Sequence, residues 1–339
     1  MHHERPRMID EMEALGFKCI WIKYSDQHRK IGILKTMPLM WWYMMRLRPD
    51  IVHSHLFDDT LPAMVAAWWA RIKVRAVTKQ WTGFHWLQAP QWVWVDKLIN
   101  RLATDLIAVS GECRQFMLDT EQADPTKISL VHHGIDPEQE THQEPAVVEH
   151  LRSALGTAGR FPVIGTVARL IEWKGHAHIV EAATTVVKRH PKALFLFCGV
   201  GSLEEEVREQ VRRAGLQDHV RFTGWIAREE MPSFYALLDI YLHAAQLEPF
   251  GFVFTEAMMN SVPMVTTPTG AALDAVEDGK SGMLVQRNGP AIAQGIERML
   301  LVDRDAVGRA GRDAALRMYP FSNMWSGTMD VYRKALSRV

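Results

Sequence analysis

Gly165-Thr166-Val167-Ala168-Arg169-Leu170-Ile171-Glu172-Trp173-Lys174-Gly175 leads from an apolar β-rich segment into a polar loop and then, through a glycine, into a helical stretch. A strand that feeds a helix through such a loop is half of a β-α-β unit, and successive units of that kind build a parallel sheet. Arg169 and Lys174 then stand at the carboxyl end of a parallel strand, which is where open α/β sheets bind ligands.

The alternation continues on both sides. Downstream, β-rich runs at 163–168, 193–199, 220–224, 239–244, 263–267 and 282–285 are separated by helical stretches. Upstream, the runs are 18–24, 51–56, 74–78, 105–110 and 128–132. At 339 residues the chain exceeds the size at which one core usually stops growing. The expectation is an α/β protein of two doubly wound, Rossmann-like domains with a cleft between them: 1–140, then a polar, Pro-containing linker over 141–162, then 163–318. An amphipathic helix within 319–339 is expected to cross back to the first domain. The chain opens directly on a helical stretch, 4–15, with no strand before it.

Composition narrows the function. Lys+Arg 39 balance Asp+Glu 39 without a run of one sign, which argues against a nucleic-acid partner. Cys19, Cys113 and Cys198 are too far apart for a disulfide framework or a zinc site, so a reducing cytoplasm fits. The most apolar run, 61–70, stops at Arg71, short of a membrane span. Of the 12 tryptophans, nine fall in the first third, among them Trp41, Trp42, Trp68, Trp69, Trp81, Trp86, Trp92 and Trp94. Core packing is one reading of them; peripheral contact with lipid, at the inner face of the cytoplasmic membrane, is the other.

The second informative stretch is Glu248-Pro249-Phe250-Gly251-Phe252-Val253-Phe254-Thr255-Glu256, which follows an apolar strand and enters a helix. A glycine at that turn lets backbone approach a ligand, and the free amides of the first helical turn can bind phosphate. A diphosphate leaving group gains negative charge as its bond to a sugar breaks. A cation about 4 Å away stabilises it by about 4 kcal/mol at an effective dielectric near 20. Arg169 and Lys174 could therefore replace a metal ion. No Asp-x-Asp pair stands at a strand end, and Asp58-Asp59 suits helix capping.

With these residues in view, the chain resembles the retaining GT-B glycosyltransferases of family 4 over nearly its whole length. The landmarks follow in order: Asp50-Ile51-Val52-His53-Ser54-His55, Asp105-Leu106-Ile107-Ala108-Val109-Ser110, His133-Gly134-Ile135-Asp136, the Arg169/Lys174 loop, Gly199-Val200-Gly201, Phe222-Thr223-Gly224, the paired glutamates, and Gly279-Lys280-Ser281-Gly282. The resemblance implies that Arg169 and Lys174 hold the donor diphosphate, assisted by the amides of Gly251, Phe252 and Val253, with Phe250 in the same loop. It implies that Glu256 binds ribose, Glu248 faces the donor sugar, Trp225 and Ile226 meet the base, and Gly199 and Gly201 let a loop approach the nucleotide. No protein nucleophile, cofactor or metal is implied.

The first domain departs from the family. His133 replaces the usual asparagine, and the family's first strand and glycine-rich loop are expected to be missing before Glu4. The histidine that approaches the donor sugar has its nearest candidate in His85, displaced from the usual place. His53 and His55 alternate on one strand and are read as packing residues. The leading function is transfer of a sugar from UDP- or GDP-sugar to a polysaccharide or lipid-linked acceptor. The other readings are a nucleotide-sugar epimerase on the same plan, and a donor-binding protein that is impaired or completed by a partner.

Overall fold

The computed structural model describes residues 5–22, 29–80, 83, 85, 86 and 89–339. The chain divides into two compact units. The first comprises Met1–Val109, Cys113–Val131 and Gly327–Val339; the second comprises Ser110–Glu112 and His132–Ser326. Each is built on a parallel sheet.

In the first unit, β1 (Ile51–His55), β2 (Val74–Lys79), β3 (Asp105–Ala108) and β4 (Ile128–Leu130) lie side by side in sequence order. Helices Phe57–Trp69, Val93–Leu102 and Gly111–Asp119 lie in the three crossovers. His53 joins elements distant in sequence: one ring nitrogen meets Thr78 Oγ1 at 2.7 Å and the other the Tyr332 hydroxyl at 2.5 Å. Burial, with His55 nearby, pushes the His53 imidazole down to about 3, so it packs as a neutral ring.

Of the strand expected over 18–24, Lys23 and Tyr24 lie outside the described residues. Residues 18–22 form no strand. Their alternation is suitable, but a strand exists only through a ladder with a neighbour, and this segment joins none.

The second unit carries β5 (Val163–Val167), β6 (Leu194–Cys198), β7 (Val220–Gly224), β8 (Ile240–His243), β9 (Met264–Thr266) and β10 (Met283–Leu284). Their order across the sheet is β10-β9-β8-β5-β6-β7. The chain winds outward from β5 in one direction, then returns to its other side at β8, so the winding reverses between β5 and β8. In β6, Phe195 and Phe197 pack into one apolar cluster with Ile164, Ile179 and Ile240, while Leu194 and Leu196 pack into another with Leu151 and Phe234. Burial on both faces explains why these strands read as unbroken apolar runs.

The segment read as a linker contains the helix Pro145–Leu155, whose Leu151 enters the second cluster. Pro145 suits a first helical position and Gly156, at φ 64°, closes the helix.

The first unit also buries a charged group. Lys79 is fully buried, 2.9 Å from the Glu121 carboxylate and 3.8 Å from that of Asp96. Asn100 donates to Glu121 at 2.6 Å. Removing the lysine would leave two buried carboxylates without the cation between them. Lys79→Met should therefore cost about 3 kcal/mol or more, read as a lower urea midpoint with an unchanged slope. An unchanged midpoint would show that the lysine does not hold the group together.

Candidate donor-binding site

Four loops of the second unit leave the carboxyl ends of β5, β6, β7 and β8, and backbone bonds tie them to one another. The β5 loop is laced to the β6 loop by Ala168 N to Cys198 O at 3.0 Å and Leu170 N to Val200 O at 3.1 Å. It is tied to the β8 loop by Gln246 N to Trp173 O at 2.7 Å. Gly199 N donates to Gly224 O at 2.9 Å, which brings in β7. Arg287 braces the arrangement from behind, donating to Ala244 O at 3.2 Å and Glu172 O at 3.0 Å.

Glycines stand where these loops touch. A Cβ on Gly199 would lie 2.2 Å from Ala168 O, and one on Gly201 2.3 Å from Leu170 O. Gly175 has φ 76°, and a Cβ there would lie 2.1 Å from the Ala244 carbonyl oxygen. Only a residue without a side chain lets the β5 and β8 loops close this tightly.

That closure places Lys174 against Glu248. The ammonium and Glu248 Oε1 form a buried ion pair. His243, at the end of β8, places Nε2 3.2 Å from the same oxygen, and its Nδ1 faces the Tyr241 hydroxyl at 3.1 Å. Burial opposes ionisation of Glu248, but the His243 hydrogen bond and the Lys174 charge outweigh it and hold the carboxyl below its usual range. Burial lowers the His243 imidazole in turn, so near neutrality it serves as a neutral donor through Nε2–H. Arg169 is exposed and forms no ion pair with the described residues. A paired lysine and an unpaired arginine thus sit on one loop.

Gly251, at φ 78°, turns the chain into the helix Phe252–Met259. Phe250 is buried, Phe252 is half exposed and stacks on His133 with centroids 5.1 Å apart, and Val253 receives the Tyr235 hydroxyl at 3.4 Å. One turn into the helix, Glu256 accepts from Tyr235 at 2.8 Å. Burial raises the Glu256 carboxyl despite that bond. Trp225 is 80% exposed beside buried Ile226 after β7. His85 belongs to the other unit, where its ring is buried with Nδ1 2.7 Å from Asp96.

The second unit therefore places Arg169, Lys174, Gly199, Gly201 and Glu248 on connected loops around the reversal of winding, the place where doubly wound sheets bind nucleotides, with Gly251 and Glu256 at and inside the following helix and Trp225 and Ile226 after the edge strand β7. No sequence motif marks His243, Tyr235 or Arg287. Each acts through its distance to a loop rather than through a motif.

Comparison with known proteins identifies the family and the fold. Residues 147–314 match the family "Glycosyl transferases group 1" and residues 6–139 the family "Glycosyltransferase Family 4". The chain belongs to the GT-B glycosyltransferases of family 4. A Mycobacterium tuberculosis GDP-mannose-dependent alpha-(1-6)-phosphatidylinositol monomannoside mannosyltransferase is 29% identical over 211 residues, 59% of this chain and 54% of that protein. A D-inositol 3-phosphate glycosyltransferase of Corynebacterium urealyticum is 33% identical over 217 residues, 61% of this chain and 51% of that protein. The chain thus spans only about half the length of these relatives. Among solved structures, Anabaena HepE in complex with UDP-glucose superposes with a TM-score of 0.81 at 19% identity, covering 99% of this chain and 90% of that one. That likeness is one of fold.

Gly175→Ala tests the closure of the two loops. The clash with Ala244 O and the left-handed backbone together should cost about 2 kcal/mol or more in urea unfolding and should abolish nucleotide binding by calorimetry. Wild-type stability and binding in this variant would contradict the geometry.

Proposed function

We propose that the chain is a retaining, metal-independent glycosyltransferase that moves a sugar from a UDP- or GDP-sugar to a polysaccharide or lipid-linked acceptor. The observation that carries this reading is the Lys174–Glu248 pair at the reversal of winding, next to the unpaired Arg169 and the turn at Gly251. The names of the two relatives, one using GDP-mannose on a phosphatidylinositol mannoside and the other acting on an inositol phosphate, support a nucleotide-sugar donor and a polyhydroxylated acceptor.

In this reading Arg169 and Lys174 take the diphosphate, with amides of Gly251, Phe252 and Val253 at the helix start. Glu256 accepts from the ribose hydroxyls, and Trp225 and Ile226 border the base. An incoming diphosphate competes with Glu248 for Lys174. The carboxylate, still bonded to His243, is then left to face the sugar, where positive charge grows as the leaving group departs. The departing phosphate takes the acceptor proton, so no protein nucleophile is used.

Substitutions separate these roles. Arg169→Ala and Lys174→Ala should each weaken binding of nucleoside diphosphate by about tenfold, since each removes one charge-assisted phosphate contact. Glu256→Gln should weaken diphosphate and sugar nucleotide alike. Glu248→Gln should leave diphosphate affinity unchanged or higher, because Lys174 is freed, and should reduce turnover by about a hundredfold or more. Calorimetry beside turnover assays decides; equal losses of diphosphate affinity in both glutamate variants would refute the assignment.

Transfer should also proceed in excess EDTA about as fast as with magnesium, because the two cations neutralise the leaving group. Loss of turnover on chelation, restored by added metal, would overturn the metal-independent part of the proposal.

A further inference from the structure

The first unit carries an apolar surface that its own packing leaves uncovered. Helix Arg29–Leu47 turns Thr36, Met37, Met40, Tyr43 and Met44 inward. At about 100° per residue, Leu39, Trp41, Trp42 and Met45 fall together on the opposite arc, and all four are exposed. The solvent arc of a surface helix is ordinarily its charged side. Here its charges are Lys35 and Arg46, both cations, with the Arg46 guanidinium 5.4 Å above the Trp42 ring. The neighbouring helix, Phe57–Trp69, packs along it and ends in Trp68 and Trp69, which are 54% and 52% exposed.

Both helices run out at one recess of about 570 Å³, bordered by Met44, Met45, Arg48, Arg71, Ile72 and Lys73. Arg48 and Arg71 each close a helix in left-handed backbone, at φ 47° and 58°, where glycine or asparagine is the unstrained choice. Ile72 N donates to Ala67 O at 2.9 Å, the bond that accompanies such a terminus. Lys73 is exposed and donates to Val339 O at 2.9 Å. The acidic side chain bordering the recess is Asp50, against three cations.

We propose that this face binds the surface of an anionic phospholipid membrane. Trp41, Trp42, Trp68 and Trp69 would sit among the headgroups, where an indole keeps its apolar body in the acyl boundary and its N–H in the polar layer. Arg46, Arg48, Arg71 and Lys73 would take the lipid phosphates. Charge decides the occupant: a cationic rim around exposed tryptophans complements an anionic lipid surface, whereas a second copy of the same face would set cation against cation. No helix among the described residues is long and apolar enough to cross a membrane, and the attachment proposed is a peripheral one through the indoles and the cationic rim. The inference is independent of the chemistry assigned to the second unit.

The test uses the full chain and co-sedimentation with vesicles of phosphatidylcholine alone and of phosphatidylcholine with about one third phosphatidylglycerol. Partition onto the anionic vesicles should be about tenfold stronger or more, and should fall as salt is raised. Arg48→Gly/Arg71→Gly relieves the left-handed positions and so should keep the urea midpoint at or above that of the wild type while losing most of the anionic preference. Trp41→Ser/Trp42→Ser should lose vesicle binding with an unchanged midpoint, and the wild-type indole fluorescence should be quenched by brominated lipids. Equal binding to both kinds of vesicle, or none to either, would overturn the proposal. So would sedimentation velocity that shows a dimer dissociated by Trp41→Ser/Trp42→Ser, since the face would then be covered by a second copy.

Discussion

Lys174 and Glu248 are buried together at the point where the winding of the second sheet reverses, and neither could be held there charged without the other. A buried ion pair of this kind contributes little net stability, because desolvation consumes most of the Coulombic gain. In the proposed reading its use is to be exchangeable. The lysine is held by a carboxylate that His243 in turn bonds, and we propose that a ligand of higher charge density takes the lysine over. The site is thus built around a cation whose ligand-free partner is the residue we place beside the sugar.

Everything near the pair serves to bring two loops together. The β5 and β8 strands are adjacent, yet their loops would diverge if Gly175 carried a side chain, and Gln246 N, Trp173 O and Arg287 then fix the approach. Behind the loops lie Phe195, Phe197, Ile164 and Ile240, fully or almost fully buried. A rigid sheet under short, mutually bonded loops is what electrostatic catalysis requires, since dipoles aimed in advance need not reorganise during reaction.

Much of this was legible in the residues. The strands of the second unit are buried on both faces and so appear as plain apolar runs, and the loops at their carboxyl ends could be located once the strands were. Arg169 and Lys174 stand on such a loop, while the roles proposed for them and for Glu248 and Glu256 come from the resemblance to the family. Residues 18–22 mislead because period-two alternation describes one strand, whereas a strand needs a neighbour's ladder. Helix Pro145–Leu155 was hidden by its polar face, although Pro145 and Gly156 mark its ends. His243 is one of 15 histidines, and nothing in the sequence marks it; it matters because β8 carries its ring to within 3.2 Å of Glu248. The exposed tryptophans are the reverse case. Their number was visible, but core and surface readings could be separated only when one helix was seen to turn Trp41, Trp42 and Met45 outward together.

We propose that Arg169 and Lys174 of the second unit receive a diphosphate. Titration calorimetry of the wild-type chain with uridine and guanosine nucleotides, in the absence of metal, tests it most directly. At least one nucleoside diphosphate should bind about tenfold or more tightly than its monophosphate, because the second phosphate is the one that draws Lys174 from Glu248. Equal affinity for mono- and diphosphates of both bases, or no binding of either without added metal, would contradict it.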